Sequence, residues 1–578
     1  MEIPWGKRGE WLYFNRNDGI SKFKRHSLEY DDFIVFFGKF TKAKPVSVIN
    51  DQYLREALVL FEVFQKKKME SQRVKMQRDR AALPVHAFQS TIVEAVKANR
   101  VVLIAADTGA GKSTQVPQFL MEAGFDKICC TQPRRIACFS LAKRVATESL
   151  NQYGSRIAYQ VRFDGSKSND TKVLFLTEGV LLRQFAQDPL LKQYNVIIVD
   201  EVHERSRNSD FLLGILKRVL NNRLDLKIVL MSATINAELF SKYFNAPVIQ
   251  IPGRMFPVSI EYHPFLEKDT NLTDPKLISE RKGSTIVTSI ASKPIKIKPG
   301  PFLKILERID EKVPETERGD LLIFVSGMYE IQILAEELRQ YAQSTRRWII
   351  LELHSALSIA DQEKVFDIAP EGVRKCIIST NIAETSVTID GIRFIIDSGK
   401  VKEMAHDSVM GVSKLSEFWI SQSSAKQRAG RAGRTGPGEC YRLYSKEEYD
   451  GLNDFPVPEI HRMPMESIIL DILAMELGDP QEFDFIEKPP EESFSHSIRK
   501  LTDLGCIDPA LYEITDLGRV LSKLPLDAVL GKMLILGLIS ALLNPIIILT
   551  AVMSVQSPFT RLADSVNSRV MTVCCFTF

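Results

Sequence analysis

The chain has 578 residues, which at the usual ~150 per domain predicts about four domains. Apolar residues make up 45% and charged residues 25%, values that exclude a mostly disordered or fibrous chain. Lys+Arg 75 against Asp+Glu 72 leaves +3, so any nucleic-acid surface must come from local placement of charge.

The N-terminus MEIPWGKRGEWLYF has no apolar stretch before a small-residue cleavage site, so no secretory signal is expected. The eight cysteines include no C-x-x-C pair and no zinc-ligand grouping, which fits reduced thiols in the cytoplasm or nucleus. Residues 1–50 are aromatic and basic without periodicity. A helical pattern follows from Asp51 to about Arg80 (Leu54, Ala57, Leu58, Phe61, Phe64) and runs into a basic stretch, read as a solvated helix face. Leu83-Pro84 stops it.

Between about 85 and 260, β-rich runs alternate with helical stretches: VVLIAA (101–106), KICCTQ (127–132), KVLFLT (172–177), VIIVDE (196–201) and KIVLMSAT (227–234). That alternation predicts a parallel sheet covered by helices. Residues 263–300, rich in Lys, Ser, Thr and Pro, read as a linker or insertion. The alternation returns over 301–445 with LLIFVS, WIILELH, KCIIST and RFIIDSG, a second α/β domain. Beyond 455 short helices dominate. Met533 to Met553 is apolar over the length of a membrane span, but Asn544-Pro545 divides it, so two buried helices with a turn at that dipeptide are expected, and no membrane partner.

After VVLIAA comes Ala106-Asp107-Thr108-Gly109-Ala110-Gly111-Lys112-Ser113-Thr114, opening a helix. This nearly matches G-x-x-x-x-G-K-[ST], in which backbone N–H groups and a helix N-terminus cradle phosphates. Lys112 is expected to reach the β- and γ-phosphates of ATP, and the Ser113 hydroxyl to ligate Mg²⁺. Ala106 stands where the motif has its first Gly, which requires a negative φ there. Strand VIIVDE ends in Asp200-Glu201-Val202-His203, where a second metal ligand belongs. Asp200 is expected to hold Mg²⁺, and Glu201 to position and deprotonate the attacking water. His203 is expected to relay nucleotide state to Ser232-Ala233-Thr234. In the second domain, Gln427-Arg428-Ala429-Gly430-Arg431-Ala432-Gly433-Arg434 places Arg431 and Arg434 on one face if helical, suited to a γ-phosphate as arginine fingers.

Together these residues resemble the DEAH-box RNA helicases of superfamily two. The resemblance spans roughly 80–560 and adds TQPRRIA (131–137), the T-E-G element (177–179) and STNIAETSVTI (379–389). The wording of CTQPRRIACFSLAKRV, FWISQSSAKQRAGRAGRTGPG and SVQSPFT is similar to the family member that acts in nonsense-mediated mRNA decay. The fold class this implies is α/β, with two tandem RecA-like P-loop domains followed by a winged helix and a partial helical bundle. The expected boundaries are 1–80 for an N-terminal extension, 81–262 and 301–445 for the RecA-like domains, and 263–300 for the linker. A winged helix over 446–515, a bundle over 516–560 and a divergent tail over 561–578 complete them.

The resemblance also assigns residues. Gly109 to Thr114 bind the nucleotide. Arg144 and Phe366 sandwich the adenine. Asp390 and Gln427 also contact the nucleotide. Arg134, Arg135, Thr177, Glu178, Thr380 and Asn381 grip single-stranded RNA along its sugar–phosphate track. Segment 400–420 corresponds to the strand-separating β-hairpin. The implied activity is ATP-dependent RNA unwinding or RNP remodelling in mRNA surveillance, with surveillance or RNP proteins as partners. The chain stops soon after SVQSPFT, where relatives continue into an OB-fold, so the resemblance leaves activation by G-patch partners in doubt. The alternatives are an RNA-binding scaffold or regulatory isoform with weak turnover, and a pre-mRNA splicing helicase.

Overall fold

The protein is described from a computed structural model. It covers residues 36–42, 57, 59–61, 63, 74, 76–78, 80–264 except 108, 149–154, 234–236 and 254–255, and 297–554 except 315–316, 359–360, 363, 368, 371, 385–388, 390, 408–411, 435 and 509–512. Thr108, Thr234, Asp390, most of the linker and the tail therefore lie outside the described residues.

Residues 1–82 and 83–578 form two separate units. In the first, a short helix over 36–42, which the sequence pattern did not announce, carries an aromatic cluster. Phe36 packs on Phe61 with ring centroids 5.3 Å apart, and Ala57 and Phe61 are buried.

The second unit holds two parallel sheets. The first contains β1 (Val101–Ala106), β2 (Ile128–Gln132), β3 (Ile157–Val161), β4 (Asp164–Gly165), β5 (Val173–Thr177), β6 (Val196–Val199), β7 (Lys227–Ser232) and β8 (Val248–Ile251). They lie in the order β4-β3-β5-β2-β6-β7-β1-β8, all pairs parallel except β3–β4. Strands β1, β2 and β6 are buried at every position, which is why β1 and β6 are unbroken apolar runs and β2 is apolar up to Thr131. This order sets β6, β7 and β1 side by side, so the loops at their carboxyl ends meet.

The next strand, β9 (Val258–Tyr262), pairs with the second sheet, in parallel with its edge strand. The first domain's sheet therefore closes at β8, short of the expected boundary at 262. The second sheet also contains β10 (Asp320–Phe324), β11 (Trp348–Leu353), β12 (Arg374–Ser379) and β13 (Ile392–Asp397). An antiparallel hairpin of β14 (Lys400–Asp407) and β15 (Val412–Trp419) follows, and then β16 (Gly438–Arg442). Its order is β11-β12-β10-β13-β16-β9.

Helices Glu466–Ala474, Glu491–Asp503 and Asp516–Lys523, with a bridge between Ile507 and Ile514, continue the core of the first sheet. The contact is made on helix Arg207–Asn222, where Phe211 meets Phe483 (5.4 Å) and Gly214 leaves room for the Phe483 ring. Arg205 ties the same corner with ion pairs to Asp210 (2.8 Å) and Glu487 (2.9 Å).

The apolar segment near the C-terminus forms two helices, Ala528–Ile539 and Leu543–Ser554. The break differs from the expected one: it falls at residues 540–542, with Ala541 at φ 58°, and Pro545 occupies the first turn of the second helix. A first-turn proline costs no hydrogen bond, so it starts this helix rather than ending the previous one. Nor are the helices buried throughout, since Leu538 and Ile539 are exposed. Among the described residues no helix is long and apolar enough to cross a membrane.

Candidate active site

The P-loop is built as its composition requires. Gly109 and Gly111 adopt φ of 87° and 90°, the left-handed region where a side chain is strained. Gly111 caps the helix Lys112–Glu122, and a Cβ there would stand 2.9 Å from Leu83. Helix formation leaves the first amides without intrahelical partners, a ready anion site. Ala106 is an ordinary strand residue with Ile251 as its parallel partner, and its φ is not positive. The alanine is accommodated without strain. Ala110 is buried, while Thr114 Oγ1 donates to the Gly111 carbonyl (3.2 Å).

Lys112 is 4% exposed and its Nζ lies 3.4 Å from Glu201 Oε1. Glu201 follows the end of β6 with φ 54°, a strained conformation for a side chain and one that clusters at functional sites. Asp200 is fully buried and accepts from Gln132 Nε2 (2.8 Å), with the Ser113 hydroxyl close enough to lower its pKa. Burial, reinforced by Glu201, holds the Asp200 carboxyl well above the usual range. A buried carboxylate penalised in this way, beside a hydroxyl and a second carboxylate, is a donor set that suits a divalent cation. Glu201 goes the other way: against its burial, Lys112 above all, with Arg431, holds its carboxyl below the usual range.

His203 Nδ1 accepts the Ala233 N–H (3.1 Å), which assigns the proton to Nε2, 3.4 Å from Glu201 Oε2. That Nε2–Oε2 separation is within ion-pair range but is not a formed hydrogen bond. Burial lowers the His203 pKa, so the ring is neutral. Between the Asp200–His203 segment and Ser232-Ala233-Thr234, where a relay was expected, there is a direct bond to Ala233; Thr234 is outside the described residues.

The second lobe reaches the same cleft. Helix Gln422–Gly430 ends before both arginines: Arg431 is its C-cap, and Arg434 lies in the turns beyond. The one-face helical arrangement expected for the pair is therefore replaced by a helix end followed by a turn. Gly433 allows that turn to pass under the Phe256 carbonyl, 2.7 Å from where a Cβ would stand. Arg434 nonetheless faces the P-loop, its Nε 3.8 Å from the position of a Gly109 Cβ. Arg431 is 3% exposed, donates to the Glu384 carbonyl, and feels Glu201 and Arg434. Burial, with Arg434 beside it, pushes its pKa well down. Two desolvated guanidiniums side by side are stabilised by an anion between them. Gln427 is half-buried, its Oε1 without a hydrogen-bond partner, and lines a cavity of about 280 Å³ with His203 and Glu384.

Residues that motif reading passed over hold these groups in place. Arg428 is 0% exposed and pairs with Glu384 (2.9 Å) and Asp397 (2.8 Å), and Tyr444 donates to Asp397 (2.9 Å). This network locks the last turn of the helix from which Arg431 emerges. The signal was present, as an arginine inside Q-R-A-G-R, an acid within STNIAETSVTI and another at the end of β13. Nothing local marked their partnership.

Arg134 donates across the cleft to the Asn381 carbonyl (3.2 Å), and Thr380 stands at the end of β12, so two expected RNA contacts meet from opposite lobes. Arg135 is exposed and Thr177 half-buried at the end of β5. Glu178 differs: its side chain is buried and accepts from Ser206 Oγ (2.7 Å), so the carboxyl turns inward rather than toward RNA. Arg144 and Phe366, the expected adenine pair, are exposed on separate lobes.

The sequence matches the DEAD/DEAH box helicase profile over 86–241 and the helicase conserved C-terminal domain over 304–436. The winged-helix and ratchet-like helicase-associated (HA2) profiles match 498–526 and 527–570. The chain is 55% identical over 455 residues to "Probable ATP-dependent RNA helicase DHX34" of Homo sapiens, covering 78% of this chain and 38% of that protein. It is 38% identical to "Putative ATP-dependent RNA helicase PB1A10.06c" of Schizosaccharomyces pombe, covering 75% and 40%. The chain thus spans about two fifths of the length of these relatives. The crystal structure of Escherichia coli DEAH/RHA helicase HrpB superposes with a TM-score of 0.68 at 31% identity, over 78% of this chain and 54% of that one. With two RecA-like lobes, a winged helix and a helical region in this order, the chain belongs to the DEAH-box helicases.

Proposed function

We propose that this chain is an ATP-dependent RNA helicase or RNP remodeller that couples hydrolysis to movement along single-stranded RNA. The observation that carries the reading is the placement of Arg434, from the second lobe, against Gly109 of the first lobe's phosphate cradle. Charged groups from two sheets then share one triphosphate, and hydrolysis depends on their closure.

In this reading the cradle amides and Lys112 hold the phosphates. Glu201 takes the proton of the attacking water as the bond between the γ-phosphorus and its bridging oxygen breaks. Arg431 and Arg434 offset the charge that spreads on the phosphoryl oxygens. Asp200 and Ser113 would hold Mg²⁺, which when bound neutralises phosphate charge. Gln427 and Asp390 contact the nucleotide, and Arg144 with Phe366 flank the base. Arg134, Arg135, Thr177, Thr380 and Asn381 grip the RNA backbone, with Glu178 contributing through its backbone at a helix start. The hairpin of β14 and β15 separates strands. The expected setting is mRNA surveillance in cytoplasm or nucleus, a reading that rests on the motif wording.

Ala106 keeps an ordinary strand backbone, so the missing first glycine of the phosphate loop gives no reason to prefer the scaffold alternative. The test is phosphate release by purified protein with and without single-stranded RNA, beside a Lys112→Ala control. RNA-stimulated release above that control is expected. Release no greater than the control would reject the enzyme reading, and release indifferent to RNA would reject the nucleic-acid substrate.

A further inference from the structure

We propose that Glu148 is a positioning residue that aims the Arg144 guanidinium at the base of a bound nucleotide, with the P-loop helix as its anchor. The proposal rests on the reading of the Lys112 cradle as a nucleotide site. Glu148 is the last residue of helix Arg135–Glu148, where a carboxylate opposes the helix dipole, and its side chain is only 4% exposed. A carboxylate so placed is tolerated only when its hydrogen bonds are made. Here Oε2 accepts from Gln115 Nε2 (2.7 Å) and Gln118 Nε2 (3.0 Å), and Oε1 accepts from Arg144 Nε.

Gln115 and Gln118 are fully buried and three apart on the helix that begins at Lys112, so they face the same way. Both are tied back to the cradle. Gln115 Nε2 reaches Thr114 Oγ1 (3.1 Å), and Gln118 Nε2 reaches the Thr114 carbonyl (2.8 Å). Arg144, by contrast, keeps 61% of its side chain exposed. Its guanidinium is therefore held at one edge beside the first turns of the phosphate-binding helix, with the rest open to whatever extends from the cradle. A planar base is the partner such a group stacks on. An ordinary surface i,i+4 pair has two exposed members and contributes little. This pair has a buried, triply bonded acid, which fixes the arginine's direction. Stacking reads a π-face, so all bases benefit.

Displacement of a fluorescent ADP by ADP, UDP and inorganic tripolyphosphate tests this. Glu148→Ala should weaken ADP and UDP by about fivefold to tenfold and leave tripolyphosphate within about twofold. Arg144→Ala, a surface change, should reproduce that pattern, and the double variant should lose no more than either single one. Glu148→Gln, which keeps an acceptor, should restore most of the loss. Equal weakening of tripolyphosphate in Glu148→Ala would make Glu148 a strut of the P-loop helix and overturn the proposal. Additive losses in the double variant, or an Arg144→Ala protein that binds ADP normally, would overturn it as well. If tripolyphosphate does not displace ADP from the unaltered chain, the cradle reading fails and takes this one with it.

Discussion

Glu201→Gln removes one charge and keeps the shape of a side chain that is 7% exposed and 3.4 Å from the Lys112 ammonium. At that distance and an effective dielectric of about 20, two unit charges attract by roughly 5 kcal/mol. Desolvation offsets much of this, but removing one member of a buried pair still costs about 3–5 kcal/mol, because the other charge is left uncompensated. Three results follow. The free protein should melt at a lower temperature than its parent. ATP should bind at least as tightly, since Lys112 no longer has a carboxylate competing with the phosphates, and saturating ATP should recover most of the lost stability. Turnover should fall by roughly 10²–10⁴, the scale of general-base catalysis. The assays are single-turnover phosphate release with single-stranded RNA, ATP displacement, and thermal melts with and without ATP. Turnover within a few-fold of the parent would refute the role, as would an ATP affinity that drops in step with the rate.

Arg434→Ala should slow hydrolysis by about 10³ while leaving ADP affinity nearly unchanged; a loss of only a few-fold in single-turnover release would remove it from the site. Glu178 is pushed up to about 7, chiefly by burial, so the folded protein holds a proton between about 4.5 and 7 that the unfolded chain has released. Its contribution to stability therefore worsens as pH rises through that window and is least favourable above it. Glu178→Gln should raise the melting temperature at pH 8 by a few degrees and change it little at pH 4.5, and an equal gain at both would contradict this. Gly214→Ala would set a Cβ 2.5 Å from Phe483 Cε1 and 2.9 Å from the Asp484 carbonyl. We expect a loss of about 1–3 kcal/mol in chemical denaturation with ADP affinity intact; an unchanged midpoint would show that this interface is looser than described.

Much of the site was legible because its chemistry is local. The cradle needs glycines at φ near 90°, a lysine and a hydroxyl in adjacent positions, and a helix start, and all of these lie within 109–114. The Asp200–Glu201 pair was legible for the same reason, at the end of an apolar run. Arg428 was not, because its value lies in Glu384 and Asp397, 44 and 31 residues away. Glu178, assigned to RNA only by resemblance, turns its side chain inward, and that turn depends on Ser206 at the start of another helix. Arg431 and Arg434 both come to the cleft, yet without the helical spacing expected of them, because the helix ends at Gly430, before either arginine.

By itself, then, the order of residues determined two alternations of buried strand and helix, the turn chemistry of the phosphate loop, and which side chains carry charge to strand ends. It did so because strand period, helix period and glycine's backbone freedom act within a few residues. Tertiary structure decided which of those ends meet. The order β6-β7-β1 brings Asp200, Ala233 and Lys112 together, β9 crosses into the second sheet, and the winged-helix segment seals against Gly214. These outcomes depend on which apolar faces pack best against one another, and that competition is settled only when distant segments are folded side by side.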